Sequence, residues 1–545
     1  MIFTDYIFLL FLFGLILLYY ICPLKFRWML LLLANILFFC TWGIEMLPFV
    51  LVTVLITWLA TNLMEKQYAL ATSETNGITQ PEARKKNKKV LIIAIVLILF
   101  ALFYSKAQRM LAEIPVLCEL VKAGSNMYQA ISKGFLNIPY VSRLVEYVEP
   151  AEQGISFFTP VGISYYTFSL VGYMADVYWR KEKAEKNICK LLNFTLYFPK
   201  LLQGPISKYR TIAEQLNQGS KFNYRQFCYG LQRMLWGYFK KLVIADRLNI
   251  VTAEVFGKPE NYHGSVLLVA AVLSAVQIYC DFSGYMDIAL GVSEVFGVKL
   301  EENFKRPFAS RSAAEFWRRW HITLGVWFKD YVYMPITISP RLIQFSGKLR
   351  KKFGKRVGKA VMTIVPLSVV WLLTGLWHGT GWNYIVWGIY WGTIIMISPV
   401  FAEETKKLNG FLHIDTEKES FKRFQQIRTF FLFVIGRILT VPGDLKVSWQ
   451  IFKKIPMEFG PWELLDGTLL SLGLDWPNWV VAALAVWLLW KVSNMQERNI
   501  GVRDTIASQN IIIRWSIYYL AIFAVLIFGI YGAGYDASAF IYMNY

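Results

Sequence analysis

The sequence predicts an all-α, polytopic membrane protein. Its residues are 56% hydrophobic and only 17% charged, and the mean hydropathy is +0.40 over 545 residues. That is more apolar surface than the core of a soluble chain of this length can absorb, and the apolar residues recur in runs of membrane-spanning length.

Those runs fall near 3–22, 27–43, 46–64, 90–105, 157–175, 226–246, 264–280, 361–377, 382–401, 428–441, 478–492 and 511–532. At about 20 residues per crossing they predict about 11–13 spans. The first, "YIFLLFLFGLILLYYIC", has no basic leader and no small-residue cleavage site, so it reads as a retained span rather than a removed signal. Pieces near 190–206 and 284–296 are broken by Gly and Pro, as in "YFPKLLQGPIS", and are expected to be tilted or re-entrant elements lining an enclosed cavity.

The formal net charge is +20, which in a soluble chain would suggest a nucleic-acid partner. Here the basic residues gather between apolar runs, in "EARKKNKK" at 82–89 and "RLIQFSGKLRKKFGKRVGK" at 341–359, the pattern that fixes cytoplasmic loops. A lipid bilayer, not nucleic acid, is therefore the expected partner. Residues 106–153 balance Lys and Arg against Glu and read as a helical insertion on the outer face. The tail "YGAGYDASAFIYMNY" lacks basic residues, which predicts an outside C-terminus. Six scattered cysteines show neither C-x-x-C nor other metal-type spacing. No repeat, P-loop, H-E-x-x-H or G-x-S-x-G pattern occurs, and no metal site is expected.

Four histidines narrow the search for chemistry. His263 in "NYHGS" and His413 in "FLHID" sit in polar connecting stretches and read as solvated loop residues. His321 and His378 sit among tryptophans in apolar surroundings, where an ionisable group is costly and marks a function by default. Around His321, the residues Trp317, His321, Leu324 and Phe328 share one face of an expected continuous helix. Arg318 and Arg319 on other faces read either as headgroup anchors or as phosphate holders. Around His378, Gly375, Gly379 and Gly381 allow close backbone approach, while Trp377 and Trp382 supply flat walls for a slot. A neutral imidazole in such a slot suits a general base for a hydroxyl. Asp281 and Asp287 in "YCDFSGYMDIALG" stand ready to orient a histidine, bind a cation or cap a break at Ser283 and Gly284. A transporter using the histidines as a proton relay, or a scaffold for another enzyme, would share most of these features.

The stretches "YCDFSGYMDIALGVSEVFGVKLEENFKRPFASRSAAEFWRRWHITLGVWFKDYVYMPI" and "LLTGLWHGTGWNYIVWG", with "PVGISYYTFSLVGYMADVYWR" and "YFPKLLQGPISKYR", resemble the membrane-bound O-acyltransferase (MBOAT) family. The likeness lies in its bacterial branch, closest to alginate and peptidoglycan O-acetylation proteins and further from teichoic-acid D-alanylation. It spans about residues 1–400, leaving 401–545 as a C-terminal transmembrane extension. The segment after "YVYMPI", where "TISPRLIQ" replaces an expected Gly- and Asn-rich turn, departs from the alginate-type pattern.

The resemblance implies a helical bundle around a central tunnel, with His378 as the catalytic histidine and His321 as the second. Trp317, Trp320, Trp377, Trp382, Asn303 and Asp281 are expected to line that tunnel. It further implies no tightly bound cofactor, an acyl thioester (acetyl-CoA or an acyl carrier protein) as donor substrate, and an extracytoplasmic SGNH-type O-acyltransferase as partner. The membrane is then the plasma membrane of a bacterium. The ending "FIYMNY" is similar to tails in which a tyrosine relays the acyl group, which makes Tyr542 the expected acyl acceptor.

Overall fold

Residues 1–71, 79–112, 115–136, 158–379 and 381–531 are described by a computed structural model. Among them the regular structure is helical, apart from one antiparallel bridge between Phe304 and Trp320. Among the described residues five helices are long and apolar enough to cross a bilayer, or six if the pair Trp382–Val400 and Ala402–Phe411, bent by 67°, is one span. Of the other expected spans, those at 428–441 and 478–492 are carried by the 22-residue helices Glu419–Thr440 and Trp476–Glu497, and several more form shorter or interrupted helices. The first is Tyr6–Ile21, the second Arg27–Cys40, and the run at 226–246 passes from the helix Tyr224–Tyr238 into a π-helical turn, Phe239–Ala245. The chain is a multi-pass membrane protein.

Both basic "loops" are helical. "EARKKNKK" lies in the first turns of the helix Gln80–Ala112, and 341–353 lies in the helix Pro340–Phe353, capped by the Ser339 side chain. Lys and Arg are good helix formers, so a basic segment beside a span continues the helix while keeping its charges in water. The expected outer insertion contains the helix Pro115–Leu136; residues 137–157 lie outside the described ones.

Two compact units divide the chain, one of residues 1–231 with 289–301 and the other of 232–288 with 302–545. In the first unit, polar side chains tie apolar helices together. Asn35 Nδ2 donates to Asn193 Oδ1 at 2.8 Å, the Tyr197 and Ser293 hydroxyls meet at 2.9 Å, and Glu301 accepts from Ser207 and Thr211 at 2.5 and 2.6 Å. The Gly-Pro stretch expected to be tilted forms two short helices, Ile188–Leu196 and Phe198–Leu201, both with largely buried side chains.

The second unit holds the larger aromatic core. The helix Gly264–Val295 passes Ser283 and Gly284 unbroken, contrary to the expected interruption there. Gly284 marks a crossing instead. A Cβ there would come within 2.9 Å of the Gly237 carbonyl oxygen, and a Cβ on Gly237 within 2.6 Å of the Gly284 carbonyl. The glycines let the helix Tyr224–Tyr238 approach at backbone distance.

The nearby carboxylates neutralise cations from the π-helical turn rather than capping a break. Lys241 Nζ stands 2.7 Å from Asp281 and 2.8 Å from Asp246, and Lys240 Nζ stands 2.5 Å from Asp287. Arg233 adds a 3.0 Å contact to Asp287. Buried charges of this kind persist only when paired, so these ion pairs pin the π-helical turn to the long helix.

Candidate active site

His378 is the last residue of the helix Lys355–His378, and the chain turns at Gly379 into the helix Trp382–Val400. The glycines work as contact points between these two helices. A Cβ on Gly375 would sit 2.6 Å from the Tyr384 carbonyl oxygen, and one on Gly388 2.6 Å from the Trp371 carbonyl. The Tyr384 ring covers Gly379 at 2.4 Å from where a Cβ would be.

The His378 ring is buried between Trp377, centroid distance 4.8 Å, and Trp387, at 5.0 Å. Trp382 is not a wall of this slot: it begins its helix 73% exposed. Five residues further along the helix, close to one and a half turns, Trp387 faces inward in its place.

His321 arrives differently from the continuous helix expected for its stretch. The helix Ala313–Arg319 ends, Trp320 is extended, His321 takes a left-handed conformation (φ 46°, ψ 52°), and a new helix, Ile322–Phe328, begins. The cause is pairing with a distant segment. Lys305 N donates to Arg319 O at 2.9 Å, Ile322 N donates to Asn303 O at 3.0 Å, and Phe304 bridges to Trp320. The Asn303 side chain completes the break by accepting from Thr323 N at 2.9 Å and Thr323 Oγ1 at 2.7 Å. Asn303 therefore caps the helix that follows His321.

The Trp377 ring is common to both imidazoles. Its centroid is 5.7 Å from that of His321 and 4.8 Å from that of His378, and Phe282 closes the other side of His321 at 4.9 Å. Both ring nitrogens of His321 are buried with no hydrogen-bond partner among the described residues. His321 lies between two short helices rather than in a spanning segment. Burial, and after it the neighbouring His378, holds its imidazole well below the ordinary range, so it is neutral at pH 7.

A cavity of about 40 Å³ lies beside His378, walled by Ile278, Trp317, Trp320, Trp387, Phe433 and Arg437 among others. It has room for a few water-sized groups. Trp317 and Trp320 thus line a cavity, Trp377 joins the two histidines, Asn303 supports the His321 turn, and Asp281 is engaged by Lys241.

Arg437, at the end of the apolar run "FFLFVIGRILT", escaped the reading of the sequence. Its signal was present, since a charged residue inside an apolar span is itself a functional pointer. Arg319 pairs with Glu315 at 2.8 Å and Glu497 at 3.2 Å, while Arg318 is exposed. His263 differs from a solvated loop residue: its Nδ1 stands 2.7 Å from Glu463 Oε1. His413 is exposed, as its stretch suggested. Among the described residues no three His, Cys, Asp or Glu side chains form a metal-holding group, and Tyr542 lies outside the described residues.

Residues 180–407, which contain both buried histidines, match the family model "MBOAT, membrane-bound O-acyltransferase family". The chain is 29% identical over 468 residues to a probable alginate O-acetylase of Azotobacter vinelandii, covering 86% of this chain and 80% of that one. It is 30% identical to the peptidoglycan O-acetyltransferase of Helicobacter pylori, over 46% of this chain and 49% of that protein. It is 31% identical to the teichoic acid D-alanyltransferase of Bacillus subtilis, over 47% of this chain and 62% of that protein. A helical membrane fold and these matches support an O-acyltransferase, with residues 180–407 similar to the MBOAT family.

Proposed function

We propose that the protein takes an acetyl group from a cytoplasmic thioester, acetyl-CoA or an acyl carrier protein, and passes it across the membrane to a hydroxyl for O-acylation of a cell-surface or secreted polysaccharide. The observation that carries this reading is the meeting of two buried imidazoles on one Trp377 ring inside the family-matched segment. His378 removes the proton from the acceptor hydroxyl, whose oxygen attacks the thioester carbonyl carbon. The new C–O bond forms as the C–S bond breaks, and the thiolate leaves with the proton returned by His378. His321, neutral through burial, donates its ring N–H toward the carbonyl oxygen as charge develops there. The narrow cavity, about 40 Å³, suits a two-carbon acyl group and little water.

On this reading Tyr542 takes the acyl group as a relay at an outward-facing C-terminus, and an extracytoplasmic SGNH-type transferase completes delivery. The setting is the plasma membrane of a bacterium. Expression of His378→Ala in a producing strain tests the enzymatic core: surface O-acetyl should fall by about 10²–10⁴-fold, the usual contribution of a positioned general base. Undiminished acetylation would overturn it. Likeness to the B. subtilis D-alanyltransferase supports a second reading, D-alanyl transfer to teichoic acid. Mass spectrometry of the C-terminal peptide separates the two, because acetyl and D-alanyl on Tyr542 differ in mass.

A further inference from the structure

A second cavity of the same unit, about 880 Å³, lies behind the His321 turn. It is near the upper end of the roughly 300–1,000 Å³ typical of small-molecule sites. Its two sides differ chemically. One is apolar, built by residues such as Leu488, Val492, Ile517, Leu520, Ala521 and Ala524 of the helices Trp476–Glu497 and Ile511–Phe528. The rest of the lining mixes aromatic residues such as Trp236 and Phe239 with five cations, Arg233, Lys240, Lys305, Arg306 and Arg503, against two carboxylates, Asp287 and Glu302. Asp287 is shared by Arg233 and Lys240, Glu302 engages Arg233 and Glu497 engages Arg306, so with Arg503 left out of the count four cations, Lys305 among them, face three carboxylates.

We propose that this cavity binds an anionic glycerophospholipid from the bilayer, its acyl chain along the apolar side and its phosphate against the basic side near Lys305. Charge complementarity selects the headgroup, since phosphate draws on ammonium and guanidinium donors. The route in selects a lipid over a soluble phosphate compound. Of the eighteen residues in Ile511–Phe528 only Val525 is buried, so this wall is itself an apolar helix in contact with the bilayer. The occupant lies against Asn303, Phe304 and Lys305, the segment whose backbone and side chain hold the His321 turn. It is distinct from the 40 Å³ cavity beside His378, where the acyl transfer is proposed.

Native mass spectrometry of the full chain, reconstituted in equimolar dioleoyl-phosphatidylglycerol and dioleoyl-phosphatidylcholine, tests the assignment without reading catalysis. Wild type should retain phosphatidylglycerol at least tenfold over phosphatidylcholine. The cavity-filling variant Ala521→Phe/Ala524→Phe should lose retention of both, and Lys305→Gln, an exposed change that spares the fold, should lower the preference several-fold. Equal retention of the two lipids by wild type, or unchanged retention in both variants, would overturn the proposal. Displacement of phosphatidylglycerol by millimolar inorganic phosphate or acetyl-CoA would also overturn it, because the site would then take a soluble anion. Failure of the acyltransfer reading would appear in surface acetylation and leave this measurement untouched.

Discussion

The two cavities of the second unit share a wall and have opposite characters. Ile278 lines the small one and its neighbour Tyr279 the large one, while Trp320 of the small cavity packs edge-on against Phe304 of the large one at 5.0 Å. One is narrow, aromatic and close to His378. The other is about twenty times larger, amphipathic and basic. What separates the two cavities is the Trp320–Phe304 contact and the step from Ile278 to Tyr279 along one helix.

Substitutions can test that division, the largest effect coming from its support. Lys241→Met should destabilise the protein by about 3–5 kcal/mol, measured by thermal unfolding in detergent, because the buried Asp281 would lose the cation that stands 2.7 Å from it. Trp387→Leu opens the small cavity at His378. It should cost about 2 kcal/mol in stability and raise donor hydrolysis relative to transfer, read by comparing released thiol with acylated acceptor. Asn303→Ala removes the cap on the helix after His321 and should cost about 1 kcal/mol, with acyl transfer falling more than stability predicts. Trp382→Ala, on the exposed rim, should change stability by less than about 0.5 kcal/mol and leave transfer intact.

Much of this architecture was legible as sequence. Apolar content made the chain helical and membrane-bound, and the cost of an imidazole among tryptophans singled out His321 and His378. What escaped depended on partners remote in the chain. The helix through His321 breaks because Asn303–Lys305 pairs with it, a tertiary contact that overrides local periodicity. Whether Asp281 and Asp287 orient a histidine, bind a cation or cap a break stayed open in the sequence because their cations, Lys241 and Lys240, lie 40 and 47 residues earlier in a π-helical turn. Gly284 looked like a break, whereas its missing Cβ serves a crossing that needs Gly237. Trp382 and Trp387 are both aromatic, and only the phase of their helix tells which one faces inward.

His321 also carries a tension between backbone and side chain. Its left-handed conformation, φ 46°, is one that non-glycine residues adopt at a cost of about 1–2 kcal/mol. Glycine would relax the turn but erase the ring. A His321→Gly variant would therefore separate the strain of the backbone from the contribution of the ring: stability should rise or hold while any role of the imidazole is lost.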